Sequence, residues 1–215
     1  MGDDEARAMG VHEILSPVMD LMRDPRFGRT EEAYGEDTFL AGEFAREGVR
    51  GMQGDDLTAP DAVASELKHY AAYGSPVAGL NCAPCAMSRH EVFTDSLPVF
   101  EEAVKEAGAM NVMCSYTCVG HVPVSMDHEM LTEVLRDQWG MRGFVRAEGD
   151  DLRFEDGTLA RFWGVNFNGG ACFPDKEYAP KVARRLAQAG CNLVRFHQLD
   201  AEWDTPNLFA FSKGK

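Results

Sequence analysis

Apolar and polar positions along this chain switch between a helical and a strand period, and the switches mark out its elements. Residues 3–11 carry helical spacing, and Ile14–Met19 reads as a short buried strand. Phe39–Met52 returns to helical spacing, and Val63–Leu67 is strand-like before it runs into Lys68-His69-Tyr70. Glu91–Ala107 reads as a helix whose early acids and late Lys105 suit the helix macrodipole. Asn111–Tyr116 follows as a strand, Asp127 caps a helix that runs to Trp139, and Gly143–Ala147 is a further strand. Strand and helix thus recur at roughly 25–40 residues per unit, the order that builds a parallel sheet or barrel.

The pattern changes near Glu148. Residues 148–166 read as a two-stranded hairpin, with Glu155-Asp156-Gly157 as its turn. A helix over Lys176–Ala189 stops at Gly190, and Cys191–Phe196 is a buried strand. This is a fresh start, so the expected boundary falls at about 146/147, giving segments 1–146 and 147–215. The expected fold is α/β: an incomplete TIM-type (β/α) barrel of parallel strands, with a C-terminal β-hairpin plus βαβ segment. About four barrel strands belong to the first segment and two to the second, where eight close a barrel. Strands left with open edges look for partners, so a homo-oligomer is expected.

Composition narrows the function classes. The 215 residues, 45% of them hydrophobic, suffice for one large domain or two small ones. A net charge of −14 repels phosphate backbones, and no basic stripe is visible, so nucleic acid is not an expected partner. The apolar runs are short, which argues against a membrane partner. The opening Met1-Gly2-Asp3-Asp4-Glu5 is acidic where a signal peptide is basic. Six cysteines in a chain of this size do not read as a disulfide scaffold, and a cytoplasmic location is expected.

Four motifs carry a resemblance. DPRFGRTEEAYGED (24–37), ELKHYAAYG (66–74), VMCSYTCVGHVP (112–123) and LRDQWGMRGFV (135–145) occur in an order and spacing similar to glycoside hydrolase family 3, the β-glucosidases. The resemblance covers nearly all of residues 1–146. It implies β-glucosidase-like hydrolysis of O-glycosyl bonds, with a β-glucoside or cello-oligosaccharide as the carbohydrate partner. It also implies that Arg29, Lys68, His69 and Tyr116 line a sugar subsite. The chemistry suits that role, because Arg29 and Lys68 donate to several hydroxyls and His69 both donates and accepts. In the family an Asp nucleophile follows the Gly-Phe-Val strand. Here Phe144-Val145-Arg146-Ala147 leads into Glu148, one methylene longer, which makes Glu148 the candidate catalytic nucleophile with Asp150 and Asp151 as the nearest alternatives. The resemblance places the acid/base in a later domain, outside these residues. The Asn usual after Ser-Tyr is Thr117.

Residues 147–215 resemble a different group, the opening of a clan A (family 5-like) glycoside hydrolase barrel. EDGTLARFWGVNFNG (155–169), ARRLAQAGCNLVRFHQLD (183–200) and EWDTPNLF (202–209) carry that similarity. It implies that Arg195, ending the second strand, sits beneath a nucleophile, and it opens a rival reading as an endo-acting cellulase-type hydrolase. A non-catalytic carbohydrate-binding or inert fused fragment is the other alternative. The chain then reads as a chimera of two barrel fragments.

Cys82 and Cys85, with Cys114 and Cys118, are read as reduced thiols rather than four zinc ligands, so no metal and no cofactor is expected. His197, Asp200 and Glu202 are read as loop residues, and methionines such as Met110, Met113 and Met130 as core filler. Trp139 and Trp163 are expected to anchor packing, with Trp203 as a candidate sugar platform.

Overall fold

The N-terminal part of the chain folds around a parallel sheet in which strands from two motifs, ELKHYAAYG and VMCSYTCVGHVP, lie side by side. The computed structural model describes residues 3–143, 145–148, 151–154 and 156–198. The chain separates into two compact units, Met1–Arg146 and Ala147–Lys215.

In the first unit, helix α1 (Asp3–Ala8) precedes strand β1 (Glu13–Ile14). Strand β2 (Ala64–Tyr70) lies at the centre, with β1 on one side and β3 (Asn111–Cys114) on the other, all parallel. The strand expected over Ile14–Met19 is shorter than its apolar pattern suggested, because Pro17 has no N–H to give a ladder. The chain returns to β2 through a single bridge between Val18 and Lys68. The first segment holds three such strands among the described residues rather than about four, since β6 (Val145–Glu148) pairs in a separate two-stranded sheet with β7 (Asp151–Phe154).

Helix α2 (Thr38–Gln53) starts where the Asp37 carboxylate accepts the Leu40 N–H at 2.7 Å, and it stops at Gly54, whose φ is +61°. Its buried stripe of Ala41, Ala45, Val49 and Met52 steps by four, four and three residues, the spacing of a helix face laid on a core. Helix α3 (Leu97–Lys105) packs Val99, Phe100 and Ala103 into the same core. The chain enters α3 through a reciprocal cap between Ser88 and Glu91 and one π-type turn, Val92–Ser96. Arg46 ties α2 to α3 through Glu102 at 2.8 Å. Gln53 reaches further: its amide donates to Gly108 O, while its oxygen accepts from Ser65 N in β2 and from Met110 N just before β3. One side chain therefore sets the starts of two neighbouring strands.

Beyond β3 a small antiparallel pair, β4 (Cys118–Val119) and β5 (Val122–Pro123), leads to a π-wound helix over Glu129–Gln138. Asp127 accepts the Met130 N–H at 3.1 Å and pairs with Arg89 at 2.8 Å. Tyr70 closes this side of the core, donating its hydroxyl to Met130 O at 2.7 Å with its ring edge-on to Phe100 and Trp139.

In the second unit, β8 (Gly164–Asn168) and β9 (Leu193–His197) pair in parallel, with helix α4 (Ala179–Gln188) between them in sequence. Residues 164–166, expected in a hairpin, lie instead in this parallel pair. The segment before it turns back within itself: Phe154 N donates to Thr158 O, Ala160 N to Leu152 O, and Arg153 bridges Leu159 in antiparallel sense. Trp163 is 65% exposed and does not act as the expected packing anchor, whereas Trp139 is buried at 9%. Asp150, Asp200, Glu202 and Trp203 lie outside the described residues. Among the described residues no helix is long and apolar enough to cross a membrane.

Candidate functional site

The pairing of β2 with β3 is regular from Glu66–Asn111 to Lys68–Met113, then shifts, so that Tyr70 meets Cys114. His69 is the extra residue of this bulge. Its backbone N–H is taken by the Asp20 carboxylate at 3.3 Å. The ladder resumes with Ser115 N donating to Tyr70 O. On the other flank, Met19 N donates to Lys68 O and Lys68 N to Pro17 O. Lys68 and His69 are thereby locked at the C-terminal end of the central strand, where parallel α/β sheets gather ligand-binding groups.

Tyr73, four residues later, forms the floor. Its ring centroid lies 4.7 Å from that of His69 and 6.3 Å from that of Tyr116, with the Arg29 guanidinium carbon 5.6 Å over it. Phe27 meets it edge-on at 5.7 Å. Tyr73 is buried at 2% exposure, while Tyr116 stands 77% exposed. The Tyr73 hydroxyl donates to Asn81 Oδ1 at 2.7 Å and lies 3.3 Å from the Cys82 thiol. Burial, helped by that thiol, pushes the Tyr73 phenol up to about 12. The turn that follows requires glycine: a Cβ on Gly74 would sit 2.6 Å from Leu21 O and 3.0 Å from the Asp20 Cβ.

The charges interlock. Glu32 takes Arg29 in a two-point fork, Nε and Nη2 each 2.7 Å from a carboxylate oxygen. That fork, with smaller help from Lys68 and His69, holds the Glu32 carboxyl below its usual range. Burial, with help from the Arg29 charge, holds the Lys68 ammonium below its usual range, and Glu32 and Asp20 offset only part of that. His69 Nδ1 lies 2.7 Å from Asp20 Oδ2, and both side chains are buried.

Of the residues expected from sequence, Arg29, Lys68, His69 and Tyr116 thus belong to one neighbourhood. Glu148 ends β6, outside the three-stranded sheet. Arg195 lies in β9 of the second unit, opposite Asn166 and exposed. Three site residues were not anticipated: Tyr73, Glu32 and Asp20. The first two sit inside the motifs already quoted, and Asp20 is a lone acid in the apolar run Val18-Met19-Asp20-Leu21-Met22, a signal of its own. The cysteines are free thiols, and no group of three or more His, Cys, Asp or Glu that could hold a metal occurs among the described residues. A separate cleft of about 480 Å³, lined in part by Arg23, Arg26 and Glu91, includes none of the four expected residues.

Comparison with known proteins agrees with the motifs. Residues 1–157 match the glycosyl hydrolase family 3 N terminal domain. A beta-xylosidase of Formosa agariphila is 36% identical over 151 residues, covering 69% of this chain and 21% of that protein. A periplasmic beta-glucosidase of Salmonella typhimurium is 34% identical over 158 residues, covering 73% of this chain and 20% of that protein. The crystal structure of a beta-glucosidase from Listeria innocua in complex with glucose aligns with a TM-score of 0.61 at 38% identity, over 65% of this chain and 20% of that one. The chain thus spans about one fifth of the length of such relatives.

Proposed function

This chain belongs to glycosyl hydrolase family 3 through residues 1–157, and from that premise we propose that its first unit forms part of a β-glucosidase-like glycone site. The observation that carries the proposal is the convergence of Arg29, His69 and Tyr116 on the Tyr73 ring, with Lys68 beside them. A pyranose offers an apolar ring face edged by hydroxyls. An exposed tyrosine, two cationic donors and an imidazole are matched to that shape. The relatives named above are glycosidases, and the substrate class proposed here is a β-linked glucoside or xyloside.

Binding is tested by calorimetry with gluconolactone. Wild type should give a measurable heat and Lys68→Ala none. Equal heats from the two proteins, or no heat from either, reject the site.

Hydrolysis with retention uses two carboxyl groups about 5–5.5 Å apart. Glu148 is proposed as the nucleophile because it follows the Gly-Phe-Val motif at the family's acidic position. For the second unit, a clan A barrel start is proposed, supported by the parallel β8–β9 pair with Arg195 near its C-terminal end. The exposure of Leu193, Val194 and Phe196 on β9 supports the proposal that the chain self-associates.

A further inference from the structure

The bulged residue His69 is gripped twice by one carboxylate oxygen. Asp20 Oδ2 accepts the His69 backbone N–H at 3.3 Å and lies 2.7 Å from the ring Nδ1. The Asp20 side chain is 1% exposed and that of His69 8%. Asp20 Oδ1 is buried with no hydrogen-bond partner among the described residues, so the carboxylate is committed to His69.

We propose that Asp20 is a positioning residue that fixes His69 as its Nδ1–H tautomer, leaving Nε2 as the acceptor for a substrate hydroxyl. This rests on the sugar-site reading above. The oxygen facing the ring already accepts a main-chain N–H, so it presents lone pairs, and the hydrogen in the 2.7 Å contact belongs to Nδ1. The Tyr73 ring, 4.7 Å away and tilted by 51°, hinders a ring flip. A neutral imidazole protonated at Nδ1 carries its free lone pair on Nε2.

The site has a need for that lone pair. Arg29 and Lys68 only donate. Both Glu32 oxygens are taken by Arg29, and the Tyr73 hydroxyl is turned to Asn81. A sugar hydroxyl that accepts from Lys68 or Arg29 must place its own hydrogen, and the acceptors offered are His69 Nε2 and the exposed Tyr116 hydroxyl, of which the imidazole lone pair is the one set by Asp20. The preferred ligand therefore carries a free hydroxyl at this point.

The test is a long-range proton–nitrogen NMR spectrum of the labelled full chain, taken where the ring is neutral. His69→Gln identifies the His69 signals among those of six histidines. The expected result is a protonated Nδ1 and a bare Nε2 in wild type. Asp20→Leu should convert the ring to the Nε2–H form that predominates for histidine in water. A wild-type ring protonated at Nε2 overturns the proposal without any variant, and so does an Asp20→Leu ring that keeps its tautomer. In gluconolactone titrations Asp20→Leu should weaken binding about tenfold, with no further loss when His69→Gln is added. Full additivity of the two losses would overturn the acceptor role. A wild type that binds no gluconolactone would sink the sugar-site reading, while the tautomer spectrum still decides the Asp20–His69 relationship.

Discussion

The Arg29 guanidinium lies over the Tyr73 ring, its central carbon 5.6 Å from the ring centroid. Arg29 belongs to the first motif and Tyr73 to the second, so the aromatic face joins segments that are distant in sequence. Because the ring also touches His69 and Tyr116, its loss should be felt at several points. Tyr73→Leu should destabilise the first unit by about 2–4 kcal/mol and abolish gluconolactone binding. Tyr73→Phe, which loses the hydroxyl's bond to Asn81 and its contact with the Cys82 thiol, should cost about 1 kcal/mol. It should also remove from an alkaline ultraviolet titration a tyrosine that ionises near 12. Equal denaturation midpoints for Leu and Phe variants would contradict this account.

Glu32 and Lys68 are electrostatically linked, the carboxylate raising an ammonium that burial lowers. Glu32→Gln should therefore shift the Lys68 titration further down, and it should free Arg29 from its fork. Lysine-selective NMR across alkaline pH reads the shift directly. An unchanged or upward movement would show that Glu32 does not face Lys68 in solution.

Acid should act through Asp127. Burial alone would raise its carboxyl, but the bonds from Arg89 and the Met130 N–H outweigh burial and leave it below its usual 3.8. A depressed acid favours folding once it is ionised. That stabilisation is in place above 3.8 and disappears as pH falls through the lower folded value. Arg89→Ala should narrow the gap between folded and unfolded titration. Its stability deficit should be largest at neutral pH and shrink in strong acid. Urea unfolding at a series of pH values would show this, and a deficit that grows on acidification would refute it.

Gly74→Ala should destabilise by about 1–3 kcal/mol, since the added carbon meets Leu21 O at 2.6 Å, a backbone atom with little room to yield. The displaced segment carries Asp20, so the variant should also lose sugar affinity at temperatures where it remains folded. Thermal melts paired with calorimetry separate the two effects. A melting temperature equal to that of wild type would mean the approach is looser than described.

A fluoro-sugar that traps the covalent intermediate should label Glu148, and Glu148→Gln should remain unlabelled. Peptide mass mapping identifies the modified position. Labelling at Asp150 or Asp151 would move the nucleophile, and none at all in either protein would leave the chain a binder.

The residues that the structure gathers in one neighbourhood, Arg29, Lys68, His69 and Tyr116, could be picked from residue order, because they sit in motifs whose spacing is itself informative. What could not be read is how their neighbours work. Tyr73 looks like one more aromatic in ELKHYAAYG until the chain folds and places it under Arg29. Asp20 is nine-tenths or more hidden in an apolar run, a place where strand patterning predicts a hydrophobe. Strand limits failed for local reasons: Pro17 cut β1 short, and residues 164–166 found a parallel partner 29 positions away in sequence, as the Gly164–Leu193 pairing shows. Local turn chemistry cannot report such a partner.

The irregularity at His69 has a consequence for how this segment can vary. In a regular strand, neighbouring side chains point to opposite faces, so a binding pair would be written two positions apart. Here one surplus residue lets adjacent positions 68 and 69 serve the same neighbourhood. Deleting a single residue anywhere between Leu67 and Tyr70 would restore the plain alternation and leave the apolar composition almost untouched. It would also turn one member of the pair inward. Insertions and deletions are commonly absorbed in loops, but in this strand a one-residue change of length would erase the proposed glycone surface while sparing the hydrophobic pattern that folds it.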